Sequence, residues 1–136
     1  MVLSLKAALK AVVAGDVGAL NALLTVPEDR LLEAARDVEL VLDRESLAGV
    51  LRRLRDRQID GGDAQRWASF IRRGYIGGQN SGRVKPITVE YEPFYEDEIV
   101  DIISRLDEIG DVIDGDIPRR GEISDYLALL GLADVN

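Results

Sequence analysis

Apolar residues recur every three or four positions along nearly the whole of this chain, and that period restricts its fold more than any other feature. Between Tyr95 and Ile113 the residues Ile99, Ile102, Ile103, Leu106, Ile109 and Ile113 form one stripe. An α-helix gathers such a stripe on a single side, whereas a strand would scatter it over both. The same spacing places Leu5, Leu9, Val12 and Val13 together, then Val17, Leu20 and Leu23, then Leu47, Val50, Leu51 and Leu54. It returns in Trp67, Phe70 and Ile71, and again in Ile123, Tyr126, Leu127 and Leu130.

Breaks between these runs have local causes. Gly15-Asp16 ends the first helix and offers a cap to the second. Pro27 suits the first turn of a helix that the pattern carries to about Asp43, with Glu28 and Asp29 at its positive end. In Asp60-Gly61-Gly62-Asp63 the glycines permit a turn and Asp63 can cap the helix that follows. Gly74 is placed to stop that helix. Residues 76–94 read as one long loop. Gly77 to Gly82 is glycine-rich and polar, and Val84 to Tyr91 reads as an extended tether, because Pro86 disfavours a central strand and no second strand offers a partner. The expected fold is all-α, a bundle of six or seven helices in one domain spanning residues 1–136. Its parts are N-terminal helices (1–45), a basic helical hairpin (46–75), the loop, and acidic C-terminal helices (95–131).

A chain of 136 residues buries a sufficient core without staples. It has neither cysteine nor histidine, which excludes disulfides, thiolate metal sites and every Ser-His or Cys-His nucleophile pair. Catalysis would rest on carboxylates, Arg, Lys, Tyr or Ser. Ser104 and Ser124 have no base in sequence context, and no Gly-rich phosphate loop follows a strand. The expectation is a non-enzymatic protein without a cofactor. Lys6 and Lys10 interrupt the N-terminal apolar run, and no stretch reaches the roughly 18 apolar residues of a membrane span. A cytoplasmic location without membrane contact is therefore expected.

The formal charge of −8 is unevenly placed: residues 1–88 hold 14 basic against 11 acidic residues, a net of +3, and residues 89–136 hold 3 against 14, a net of −11. At 100° per residue, Asp97, Asp101, Ser104, Glu108 and Asp111 share the face opposite the isoleucine stripe. Asp114 and Asp116 continue the charge, Glu90, Glu92 and Glu96 precede it, and Arg105 is the local cation. Such a face can attract a cationic partner, or it can be plainly solvated. A shared metal ion is disfavoured, because Glu98-x-x-Asp101 and Glu108-x-x-Asp111 lie roughly ten residues, about 15 Å, apart on one helix. Asp111-x-x-Asp114-x-Asp116 also lacks the spacing of a calcium loop. A magnesium-dependent all-α hydrolase would need Glu33 or Glu39 to converge on Glu98 or Asp101.

The basic residues Arg52, Arg53, Arg55, Arg57, Arg66, Arg72, Arg73, Arg83 and Lys85 flank the Asp60–Asp63 turn. As a helix-turn-helix this region presents only Gln65, Arg66 and Ser69 to bases, and the net charge opposes phosphate, so nucleic acid is not an expected partner. These arginines are expected to pair with the acidic segment or to line a solvated face. Trp67, Phe70 and Tyr75 read as core. Tyr91, Phe94 and Tyr95 read as pins holding the tether to the bundle, with room for one to stay exposed as an interface anchor.

Residues 46–130 resemble the small helical immunity proteins of the colicin D type and of related contact-inhibition systems. The likeness runs through Leu51-x-x-Leu54, Ile59, Asp63-x-x-x-Trp67-Ala68-x-x-Ile71, a loop, Glu96-Asp97-Glu98-Ile99-x-x-Ile102, Leu106 and a last amphipathic helix. The resemblance implies a helical bundle whose acidic surface occupies the basic cleft of a nuclease toxin. Asp97, Asp101, Glu108 and Asp111 would then stand in for phosphates, with Asp114 and Asp116 beside them. The rival reading is a scaffold module whose acidic helix clamps its own arginine-rich region.

Overall fold

The structure, a computed structural model, describes residues 5–23, 25–74, 87–108 and 118–132. They contain seven α-helices: α1 (Leu5–Val13), α2 (Val17–Leu23), α3 (Glu28–Arg36), α4 (Arg44–Arg55), α5 (Gly61–Arg73), α6 (Glu96–Asp107) and α7 (Arg120–Leu129). The all-α bundle expected from the periodicity is present. One two-residue parallel ladder joins β1 (Val41–Leu42) to β2 (Glu90–Tyr91), and a 3₁₀ turn (Pro93–Tyr95) leads into α6. No helix among the described residues is long and apolar enough to cross a membrane.

The helix boundaries follow from local chemistry, and two differ from the sequence reading. Helix α3 stops at Arg36 instead of continuing to about Asp43, because the Asp37 and Val38 amides turn back to the Ala34 and Ala35 carbonyls. The chain beyond alternates instead: Leu40 and Leu42 are buried and Val41 is exposed, the two-residue period of a strand. The second difference is the cap of α5. Asp60 is the N-cap, accepting from the Asp63 amide at 2.7 Å, while the Asp63 carboxylate reaches back to the Asp60 amide. Gly61 and Gly62 therefore lie inside the first helical turn, since the reciprocal pair satisfies two amides that Asp63 alone would leave open. Pro27, read into the first turn of α3, is its N-cap, while Asp16 and Gly74 act as read. Asp16 accepts from the Ala19 amide at the start of α2, and Gly74 ends α5 with φ 77°.

The tether reading is also corrected. Residues 87–91 do find a strand partner, since the Glu90 and Glu92 amides donate to the Leu40 and Leu42 carbonyls at 2.8 and 3.0 Å. Ile87 and Val89 are buried while residues 88 and 90 face out, so the segment is a short ordered edge of the core. The segment read as loop thus carries, within its described part, the two-residue strand β2 and the 3₁₀ turn Pro93–Tyr95. Gly77 to Lys85 and Tyr75 lie outside the described residues, as do Ile109, Gly110 and Ile113, so α6 is described only to Asp107.

Helices α5 and α6 pack on each other more extensively than any other pair, α1 packs on both α2 and α3, α2 also reaches α5, and α7 lies against α4. Trp67, Phe70 and Ile71 from α5 meet Ile99, Ile102, Ile103 and Leu106 from α6 in one apolar cluster. Trp67 is fully buried, and its indole N–H donates to the Val12 carbonyl at 2.7 Å, fastening α5 to the end of α1. At Gly15 φ is 106° and an added Cβ would fall 2.9 Å from the Arg53 guanidinium, so both the turn and the close passage of α4 require glycine there. Replacing Trp67, the single tryptophan, by Phe should cost about 2–3 kcal/mol, combining a cavity with the loss of the buried indole hydrogen bond. Urea unfolding checks this, and the wild-type protein should show blue-shifted tryptophan emission that moves red on unfolding.

Candidate functional site

Helix α6 separates its residues by depth. Ile99, Ile102, Ile103 and Leu106 are buried on α5, while Asp97, Val100, Asp101 and Glu108 are exposed. The predicted stripe is thus outward-facing over the described part of its length. Asp97, Asp101 and Glu108 take no ion pair or side-chain hydrogen bond among the described residues. Asp111, Asp114 and Asp116 lie outside them. Arg105, the expected local relief, turns to α7, where its Nε donates to Glu122 Oε2 at 2.9 Å. The outer face keeps its negative charge.

One acidic residue of α6 behaves differently. Asp107 is 3% exposed, and its Oδ2 accepts from Arg72 Nη1 at 2.9 Å and from Arg73 Nε at 3.2 Å. Its carbonyl accepts from Gln65 Nε2 at 3.1 Å. Three side chains of α5 therefore close on the last turn of α6, where the arginines also complement the negative end of the helix dipole. Asp107 was legible in principle. It lies four residues after Ile103 and eight after Ile99, so helical geometry turns it inward with them.

The remaining described arginines are largely spent on the fold. Arg52 donates to the Leu132 carbonyl at 3.1 Å, Arg53 to the carbonyls of Gly49 and Gly15, Arg55 to both oxygens of Asp56, and Arg66 to Asp63. Bonding to Arg55 holds the Asp56 carboxyl below the usual carboxylate range. Of the three side chains that a helix-turn-helix would present, Gln65 and Arg66 are thus engaged internally, and Ser69 is half-buried. Arg44 is a hub that the sequence reading passed over. Its amide donates to Glu92 Oε1 at 3.0 Å, and its Nη1 donates to the Tyr95 hydroxyl at 2.8 Å and the Leu130 carbonyl at 3.1 Å. Its guanidinium also lies 4.6 Å from the Tyr95 ring centroid. This arginine sets the entry angle of α6.

The aromatic residues at that entry part company. Tyr91 and Tyr95 pack against the core, as expected of pins, and burial pushes the Tyr91 phenol above its ordinary range. Phe94 is 89% exposed, its ring 5.7 Å from that of Tyr95. An exposed phenylalanine therefore heads the acidic face. Among the described residues no three carboxylates approach closely enough to hold one metal ion. Glu33 and Glu39, required by the hydrolase reading, are exposed and take no part in such a group.

Comparison of the chain with protein-family models, with characterised proteins and with solved structures finds no match.

Replacing Asp107 by Ala should cost about 2 kcal/mol, because a buried acceptor of two charged donors is lost while the half-exposed arginines can rehydrate. Asp97→Ala should stay within about 0.5 kcal/mol of wild type, and equal losses in urea unfolding would contradict the division into inner and outer acid. The Tyr126 phenol is pushed well above its ordinary value by burial and then by its hydrogen bond to Glu122. A raised folded pKa means that this contribution is complete below about pH 10 and lost as pH rises further. Stability should accordingly hold level to about pH 9 and decline above pH 10, followed by circular dichroism.

Proposed function

We propose that the protein is a non-enzymatic binding protein whose exposed acidic helix receives a cationic protein partner, in the manner of an immunity protein masking the basic cleft of a nuclease toxin. The observation that carries this reading is the division of charge on α6. Asp97, Asp101 and Glu108 are exposed and take no ion pair among the described residues, while Arg72 and Arg73 pair with Asp107 and Arg105 with Glu122. A fold that used its acid for self-assembly would neutralise those positions first. The intramolecular clamp has its own observation in Asp107 with Arg72 and Arg73, but it engages one inward carboxylate and leaves the stripe open.

Asp97 and Asp101 are one turn apart, about 6 Å along the axis, and Glu108 lies two turns further. Like charges so placed cost a few tenths of a kcal/mol in the free protein. A cationic cleft removes that repulsion on binding, which favours the complex. Phe94 supplies what charge alone does not, a rigid apolar anchor at the head of the acidic row. Steering by the carboxylates sets the encounter rate, and burial of Phe94 slows departure. The resemblance to colicin D-type immunity proteins makes a nuclease toxin the partner class to try first, beginning with products of neighbouring genes.

The test is association kinetics with such a nuclease domain. Reversing Asp101 and Glu108 to Lys should slow association about tenfold or more at low salt, with the difference shrinking toward 1 M salt. The melting temperature should change little, since both side chains are exposed. An on-rate insensitive to the reversal would refute the assignment of this face.

A further inference from the structure

Three arginines occupy backbone positions that favour other residues, and all three line one groove. Arg57 closes α4 in the left-handed region at φ 60°. The Arg57 amide donates to the Leu54 carbonyl at 3.2 Å and the Gln58 amide to the Arg53 carbonyl at 2.8 Å, a closure in which glycine is the ordinary occupant. Arg119 is the N-cap of α7 and makes no side-chain cap, where Ser, Thr, Asp or Asn would. Arg120 follows as the first helical residue, at the end where the dipole disfavours a cation. Sites where local preference is overridden by the same charge, three times within one concavity, are where function is expected to have set the sequence.

The groove lies between the α4–α5 turn and the start of α7 and encloses about 1110 Å³, with Leu54, Ile59 and Ile123 among its apolar walls. Its carboxylates are already engaged: Asp56 by Arg55, Asp60 by the amide it caps, and Asp63 by Arg66. The side chains of Arg57 and Arg119 have no partner among the described residues. Arg120 approaches Asp56 only to 3.8 Å and remains 77% exposed. Charges beyond about 8 Å are largely screened at physiological ionic strength, so the net charge of the chain does not set the field here.

We infer that this groove binds a small phosphate-bearing molecule. A guanidinium fork pairs with phosphate oxygens through parallel charge-assisted hydrogen bonds, Arg57, Arg119 and Arg120 bring three such groups to the lining, and the apolar walls accept an organic group attached to the phosphate. The volume suits a nucleotide-sized ligand better than a lone ion. The site contains none of the α6 carboxylates and does not depend on the function proposed for them.

Calorimetric titration with pyrophosphate, AMP and citrate, on wild type and variants at matched ionic strength, tests the inference. Saturable binding of pyrophosphate or AMP is expected, and tighter binding of AMP would identify a phosphoester with an organic group as the source, tighter pyrophosphate a free polyphosphate. Arg57→Gly should raise the melting temperature of the free protein by about 4 °C by relieving the backbone. The same substitution should weaken the phosphate probe about tenfold. Stabilisation together with lost binding is a signature that damage to the fold does not produce. The double variant Arg119→Gln, Arg120→Gln should weaken binding at least as much. Absence of saturable binding of both phosphate probes up to about 10 mM, citrate binding as tightly as they do, or unchanged affinity in the variants would overturn it.

Discussion

Helix α6 depends on α5 for its existence. At twelve residues, with a row of like charges on its outer side, it is at the length where an isolated helix is marginal even without repulsion. Burial of Ile99, Ile102, Ile103 and Leu106 against Trp67, Phe70 and Ile71 supplies the missing stability. The Asp107 carboxylate then fixes the far end by accepting from two arginines of α5. Arg44 and Tyr95 fix the near end. A helix held at both ends and along one side can carry an unfavourable charge pattern on the other.

The same contact explains how basic and acidic segments coexist in one small protein without cancelling. Most described arginines of α4 and α5 are directed at carbonyls and at carboxylates of their own neighbourhood, where planar guanidinium groups satisfy helix ends and turns. Their charge is consumed locally. The acid of α6 is displayed, and Phe94 stands exposed at its head. Arg57, Arg119 and Arg120 depart from the rule: among the described residues the first two have no side-chain partner, the third meets only Asp56 at 3.8 Å, and all three line a separate groove.

Much of the fold was legible because helices declare themselves over short distances. The α6 isoleucines, the helix that ends at Gly74 and the inward Trp67 and Phe70 all follow from a 3.6-residue period and from a local stop signal. Apart from the local capping box of Asp60 and Asp63, the errors fall where distant chain segments meet. Val38, Val41 and Leu42 fit the end of a helix equally well, and only the arrival of Ile87–Tyr91 beside them makes the extended form better. The candidate site divides in the same way. The outward placement of Asp97, Asp101 and Glu108 could be read from helix geometry, whereas the exposure of Phe94 rather than Tyr91 or Tyr95 could not.

By itself the sequence determined the all-α class, the acidic face and the chemistry that is excluded, because periodicity, charge and residue types are local properties of the chain. Tertiary structure decided which charges are spent and which remain. Asp107 and Asp101 are both aspartates on one helix, and helix phase turns the first inward and the second outward, but nothing local names the cations that Asp107 meets. Those cations are Arg72 and Arg73, more than thirty residues earlier, which arrive at Asp107 and not at Asp101. Long-range pairing of that kind depends on how helices pack, and packing is set by the whole buried surface rather than by any one segment.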